Sequence, residues 1–285
     1  MPYFHKFFFV KGILIAAMFA ALSFLAVIII SFTPVSGVPV LNYHQINDVD
    51  HNAMTITTKQ FEAQMKYLSD NNYTAISPDQ LIDHLETGAP LPPHPVLITF
   101  DDGYKDNYLN AFPILKKYQM TATIFLISDY VSTYEKYLTW DEIALMQRDG
   151  IDFESHTLSH LNLIEAASDE ELQQQLAGSK AALEWHLGKQ VNYIAYPCGT
   201  YNPKIMSQTK ATGYRGAFTV NFGRDDHDDA QYALDRIPVF GGNSHTYLRF
   251  RLRLKLTPVF SYLDQLKTDL QKRGNTTLAR IIPSP

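Results

Sequence analysis

The sequence predicts an α/β fold in which parallel strands are covered by helices. Two observations carry this: short apolar runs alternate with amphipathic helical segments from Val38 to about Val220, and polar clusters fall directly behind three of those runs. Such βαβα order is met by a closed barrel or by an open sheet, and in both the chemistry sits at the carboxyl ends of the strands.

Taken in order, the first element is an apolar run, GILIAAMFAALSFLAVIIISF, from Gly12 to Phe32, behind Lys6 and Lys11. A helix of about twenty apolar residues spans a bilayer, and flanking positive charge stays inside. We therefore expect an uncleaved membrane anchor with everything after Phe32 facing outward. The competing reading is a cleaved signal peptide with Val35 and Gly37 near the cut. VPVLNYH then reads as a buried strand, and TTKQFEAQMKYLSDN as a helix with Phe61, Met65 and Leu68 on one face. HPVLITF is strand, NAFPILKKY helix and TATIFLI strand. TWDEIALMQRDG is a helix capped by Thr139, with Glu142 three residues on and Gly150 as its stop. IDFES, the long helix SDEELQQQLAGSKAALEWHLG, the strand VNYIAYP, the helix PKIMSQTKATG and the strand RGAFTV continue the pattern. Beyond these, YLRFRLRLKL (247–256) alternates apolar and basic residues as a half-exposed strand would, or as a segment lying against anionic lipid or polymer.

Composition narrows the function. The 285 residues are 46% apolar, enough for a sizeable core, and the net charge of -5 with pI near 6.0 gives no pull toward nucleic acid. A single cysteine, Cys198, excludes an internal disulfide. No linker divides the chain, so we expect an anchor region (1–37), one catalytic domain (38–243) and a basic C-terminal tail (244–285).

Three strand ends carry the unusual residues. Asp101 and Asp102 follow VLITF; His156 and His160 follow IDFES; Pro197, Cys198 and Gly199 follow NYIAY. Histidines at i and i+4, if helical, share a face and can bind one metal ion, one protein ligand short of a catalytic set. A carboxylate from the aspartate pair would complete His-His-Asp with open positions for water and substrate. Zinc peptidases with H-E-x-x-H take their base from the residue beside the first histidine, but here that residue is Thr157. The second carboxylate of the pair is the remaining supplier. The acidic cluster RDDHDD (224–229) lacks an apolar frame and reads as a solvated loop.

TFDDG (99–103), SHTLSH (155–160) and YPCG (196–199), in that order and spacing, resemble the polysaccharide deacetylase family with the NodB homology domain, carbohydrate esterase family 4. The likeness runs from Val38 to Gly242. LNYHQI and LDRIPVF (234–240) look most like the branch that deacetylates poly-N-acetylglucosamine of biofilm matrix. The resemblance implies a distorted (β/α) barrel, with Asp101 as general base and Asp102, His156 and His160 as ligands of a divalent metal, zinc by default, with cobalt or nickel as alternatives. It further implies a backbone N–H in the third motif as oxyanion donor, where Cys198 stands in place of the family's tyrosine. The family arginine two residues before the motif's proline, which orients the base, is Ala195 here, and Arg236 is the candidate replacement; its alternative is a surface ion pair with Asp235 or another carboxylate. For the general acid, the family's late histidine points to His245 in NSHTY, with His44 in NYHQI as competitor.

The expected activity is therefore metal-dependent de-N-acetylation of an extracellular N-acetylglucosamine polysaccharide. A catalytically silent polysaccharide-binding or assembly factor and an O-acetyl esterase are the alternatives.

Overall fold

Strand pairing in the computed structural model runs in a closed circle. It describes residue 18 and residues 36–225, 230–241 and 247–282; the expected anchor (12–32), His245 and positions 226–229 of the acidic cluster lie outside them. β1 (Val40–Tyr43) pairs in parallel with β5 (Pro95–Phe100) on one side and with β10 (Leu234–Pro238) on the other. β6 (Thr123–Leu126), β7 (Asp152–Ser155), β8 (Tyr193–Ala195) and β9 (Gly216–Phe222) complete the ring, a parallel barrel of seven strands among the described residues. The open-sheet alternative is thereby excluded. Outside the ring, β2 (Gln45–Ile46) pairs with β3 (Thr55–Ile56), and β4 (Thr74–Ala75) extends the amino-terminal end of β5.

Alternation along the strands decides what fills the barrel. Leu41, Tyr43, Ile98, Phe100, Ile124, Phe153 and Ile194 belong to the core beneath the helices, while Val40, Leu97, Phe125, Tyr193, Phe218 and Leu234 form a second cluster in the lumen. One step toward the carboxyl ends, the inward positions turn polar: Asn42, Thr99, Asp101, His156 and Arg236, all buried.

The predicted helices form around this ring. α1 (Thr58–Asp70) starts on a capping box between Thr57 and Gln60 and buries Phe61, Met65 and Leu68. α2 (Pro78–Thr87) was not among the predicted elements. Its signals were local, a Ser77–Gln80 capping box, Pro78 in the first turn and left-handed Gly88 at the end. Its Leu81 and Ile82 join the lumen cluster, so this helix floors the barrel. α3 (Phe112–Lys117) continues a π-turn over Asn107–Ala111, and α4 (Trp140–Arg148) carries the expected Thr139–Glu142 box. The long predicted helix is α5 (Asp169–Gln173) and α6 (Ser179–Leu187) joined by a π-turn over Gln174–Gly178, and α7 is Pro203–Ala211.

The C-terminal stretch corrects a prediction. Residues expected as a half-exposed strand form α8 (Tyr247–Lys255), followed by α9 (Thr257–Lys272) and α10 (Thr276–Ile281). Arginines at every second position imitate strand alternation, but Phe250 and Leu254, four apart, are the residues that bury. Arg253 is buried too, its Nη1 donating to the Pro238 carbonyl at 2.5 Å. Among the described residues no helix is long and apolar enough to cross a membrane.

Candidate metal centre

β5 ends at Phe100, and the chain leaves it in an unusual way. Asp102 and Gly103 both adopt positive φ, +75° each. A Cβ on Gly103 would lie 2.6 Å from Leu126 Cδ2, so backbone conformation and space both demand glycine there. Asp102 carries the strain of a left-handed non-glycine residue, a cost of roughly 1–2 kcal/mol. This turn, rather than strand alternation, aims the two carboxylates in different directions.

Asp101 points into the lumen. Arg236, on β10 and fully buried, grips it with two parallel hydrogen bonds, Nη1 to Oδ1 and Nη2 to Oδ2, both 2.7 Å. The guanidinium also donates from Nε to the Thr219 carbonyl at 2.6 Å and from Nη1 to Thr99 Oγ1 at 3.3 Å, and Asn42 Nδ2 donates to Asp101 Oδ2 at 3.1 Å. The surface pair with Asp235 is thus not what Arg236 makes. Burial pushes the Asp101 carboxyl up, but the charges of Arg236 and His156 outweigh it and hold the group below the usual carboxylate range.

Asp102 faces the two histidines. His156 Nε2 and His160 Nε2 each lie 3.4 Å from its Oδ1, and this oxygen, though buried, has no hydrogen-bond partner among the described residues. His156 Nδ1 is bonded to the Ala195 carbonyl at 2.8 Å, which requires a proton on Nδ1 and leaves Nε2 as a lone pair in the neutral ring. One ligand atom from each of Asp102, His156 and His160 lies within 4.8 Å of the others. The three atoms are therefore a donor set suited to a divalent cation: two imidazole lone pairs and one carboxylate oxygen with nothing else to bind. The chain does not achieve this through a helix, as i, i+4 spacing suggested. His156–His160 is a loop whose turn depends on left-handed Thr157 (φ 68°) and His160 (φ 62°), fixed by His160 N–H donating to Thr157 Oγ1 at 3.1 Å.

Electrostatics reflect the crowding. Burial opposes it, but the adjacent His156 lowers Asp102, while Asp101 and Asp102 together raise His156 against its own burial. Burial, then His156, lowers His160.

His44, just past β1, places Nε2 4.0 Å from Asp101 Oδ2, and its buried Nδ1 has no partner among the described residues. Burial lowers its pKa, against the pull of the two aspartates. Cys198 is exposed with φ 57°, inside a short turn, and its N–H finds no acceptor among the described residues. Asn42 and Thr99 were not picked out from the sequence, although each sits two residues from one that was: Asn42 before His44 and Thr99 before Asp101. Tyr104 was also passed over; its hydroxyl reaches Asp102, and burial first, then the Asp102 charge, raises its pKa.

Comparison with known proteins points to the family that the three motifs resemble. Residues 88–217 match the family model described as polysaccharide deacetylase, a span holding the aspartates, the histidines and Cys198 but neither His44 nor Arg236. YxkH of Bacillus subtilis, whose name places it among polysaccharide deacetylases, is 38% identical over 206 residues, 72% of each chain. The poly-beta-1,6-N-acetyl-D-glucosamine N-deacetylase of Staphylococcus epidermidis is 26% identical over 73% of this chain and 81% of its own. Among solved structures, the Streptococcus pyogenes deacetylase PplD in complex with acetate superposes with a TM-score of 0.69 at 29% identity, covering 73% of this chain and 94% of that one.

Proposed function

The chain belongs to the polysaccharide deacetylase family, hydrolases of N-acetyl amide bonds, and from that premise we propose that it removes acetyl groups from an extracellular N-acetylglucosamine polysaccharide with the help of a divalent ion, zinc. One observation carries the metal-dependent part: two bare imidazole nitrogens converge on a buried, unpartnered Asp102 oxygen, one residue from a carboxylate locked by arginine. The poly-β-1,6-linked glycan is the preferred substrate, since the staphylococcal relative carries that activity in its name.

Asp102, His156 and His160 hold the ion. When bound, it acidifies a water and polarises the acetyl carbonyl. Asp101 takes the proton of the attacking water. Its tie to Arg236 makes it a weak base but keeps it ionised and aimed. The Cys198 N–H donates to the oxyanion as the carbonyl carbon becomes tetrahedral; a backbone donor is indifferent to its own side chain, so cysteine can stand where relatives have tyrosine. His44, whose Nε2 lies 4.0 Å from Asp101 Oδ2, carries a proton to the departing amine nitrogen. His245 remains the alternative donor, outside the described residues.

The catalytic residues 38–243 work outside the membrane, tethered by the run Gly12–Phe32, with 244–285 as an extension. Recovery of the full chain in salt-washed membranes supports the tether; a mature protein starting near Val38 removes it. The activity itself is tested by acetate release from β-1,6- and β-1,4-linked N-acetylglucosamine oligomers, before and after chelation. Release that stops with chelator and returns with zinc supports the reading. Acetate from O-acetylated glycan alone would make the protein an esterase, and acetate from none of these would leave the silent factor.

A further inference from the structure

Four tyrosines make a continuous aromatic chain that begins beside the metal centre and ends in solvent. Tyr104 lies two residues after Asp102, just past the left-handed Asp102–Gly103 turn. Tyr137 stacks on it, with ring centroids 5.1 Å apart and planes at 22°. Tyr130 meets Tyr137 at 4.9 Å and Tyr134 at 5.0 Å, both edge-on, and Tyr134 meets Tyr137 at 6.3 Å. Tyr134 is the outer member, 54% exposed.

The chain of rings is built into the site. Lys105 N–H donates to the Lys136 carbonyl at 2.9 Å and Leu138 N–H to the Gly103 carbonyl at 3.0 Å, zipping the tyrosine loop to the Asp102 turn. On its other side, Ser128 and Asp129 N–H groups donate to the carbonyls of Thr157 and Leu158, within the histidine loop, at 3.2 and 3.0 Å. The tyrosine loop therefore bridges both segments that supply the candidate ligands. A large exposed aromatic on a rigid loop costs little entropy to engage and offers both an apolar face and a hydroxyl. The apolar C–H faces of a pyranose ring, rimmed by hydroxyls and acetamides, match that chemistry.

We propose that Tyr130, Tyr134 and Tyr137 form a stacking subsite for a hexosamine unit next to the one being deacetylated, so that the enzyme holds an oligomer rather than a single sugar. This deepens the deacetylase reading and rests on it for the identity of the sugar. The three rings pack as one cluster that joins the Asp102 turn through Tyr104, so the sugar it meets is a neighbour of the one being deacetylated, and binding there depends on chain length.

The test is direct binding, which needs no turnover. Chelator-treated full-length protein in detergent is titrated with N-acetylglucosamine and with its pentamer, as wild type, Tyr134→Ala and Tyr134→Phe. Aromatic contacts of this kind predict an about three- to tenfold weaker pentamer affinity for Tyr134→Ala, restored by Tyr134→Phe, with monosaccharide affinity unmoved. Equal pentamer affinity for wild type and Tyr134→Ala overturns the proposal, as does wild type that binds no pentamer or a loss shared equally by monosaccharide and pentamer. A Tyr134-dependent pentamer affinity in a protein that releases no acetate keeps the subsite and discards the activity.

Discussion

Asp101, just past β5, and Glu154, on β7, are both buried carboxylates beside a basic side chain, yet they belong to opposite ends of the barrel. Glu154, toward the amino-terminal mouth, is bonded by Lys189 and accepts the Tyr193 N–H at 2.7 Å. Around that mouth Arg215 pairs with Asp79, Asp83 and Glu86 of α2, and the Tyr193 hydroxyl donates to Asp79 at 2.5 Å. Asp101, at the carboxyl end, is gripped as firmly, but its neighbours are not: Asn42 Oδ1, His44 Nδ1 and Asp102 Oδ1 are buried without partners among the described residues. Asp102, Thr157, His160 and Cys198 are left-handed at this end, but so are Asn72, His94 and Gln119 where the chain enters strands at the other, so the unmet polar atoms carry the distinction. Unmet polar atoms are costs that a fold does not keep for stability. One end of the barrel closes the structure, and the other is held open for a ligand.

Replacing His156 by Ala should give the largest effect. With one of three protein ligands gone, metal content and acetate release should both fall to background, and metal analysis beside an acetate assay checks it. Arg236→Met strips the partner from a buried charge and should cost about 3–5 kcal/mol of stability as well as activity, read from denaturant unfolding. If it instead left stability unchanged, the grip on Asp101 would be of little consequence.

The two carboxylates should also respond to pH with opposite signs. Asp101 is held below its ordinary 3.8, so the folded carboxylate stays ionised while the unfolded chain takes up a proton. Its stabilising contribution is full above pH 3.8 and is lost as the pH falls toward the folded value. Glu154 is pushed up to about 8 by burial, then by Asp152. Its folded form keeps the proton that the unfolded chain releases near 4.5, so stability drops as the pH rises from there to about 8. Melting curves against pH for Glu154→Gln should lose the second slope and keep the first. The smallest effect belongs to Arg215→Ala: its partly exposed ion pairs should contribute about 1 kcal/mol or less, with acetate release unchanged.

Much of this was legible in the sequence, for reasons that also mark its limits. Strands and helices around the barrel announced themselves by apolar spacing and caps, as in Thr139 with Glu142. Asp101, Asp102, His156 and His160 were singled out because polar clusters fall on successive strand ends in one order along the chain; each cluster alone reads as a turn or a helix surface at least as well. Their convergence followed from the i, i+4 spacing only on condition of a helix, whereas left-handed Thr157 and His160 make the turn, and nothing in residue type announces such a φ for threonine. α2 escaped notice because only its caps, not a long periodic run, define it. In α8, arginines at alternate positions hid a helix whose buried side is set by Phe250 and Leu254. Arg236 was directed at Asp101 only by the family resemblance, as the replacement for an arginine that orients the base; spacing could not have paired them, since 135 residues separate the two and only barrel closure brings them together.

Divided labour between the adjacent aspartates is the central claim, and one paired measurement tests it: zinc content and acetate release from an N-acetylglucosamine oligomer for Asp101→Asn and Asp102→Asn. The account predicts that Asp101→Asn keeps its zinc while its rate falls about 10²- to 10⁴-fold, the usual contribution of a general base, and that Asp102→Asn loses zinc and activity together. Zinc lost from Asp101→Asn but retained by Asp102→Asn, or near wild-type rates in both, would contradict it.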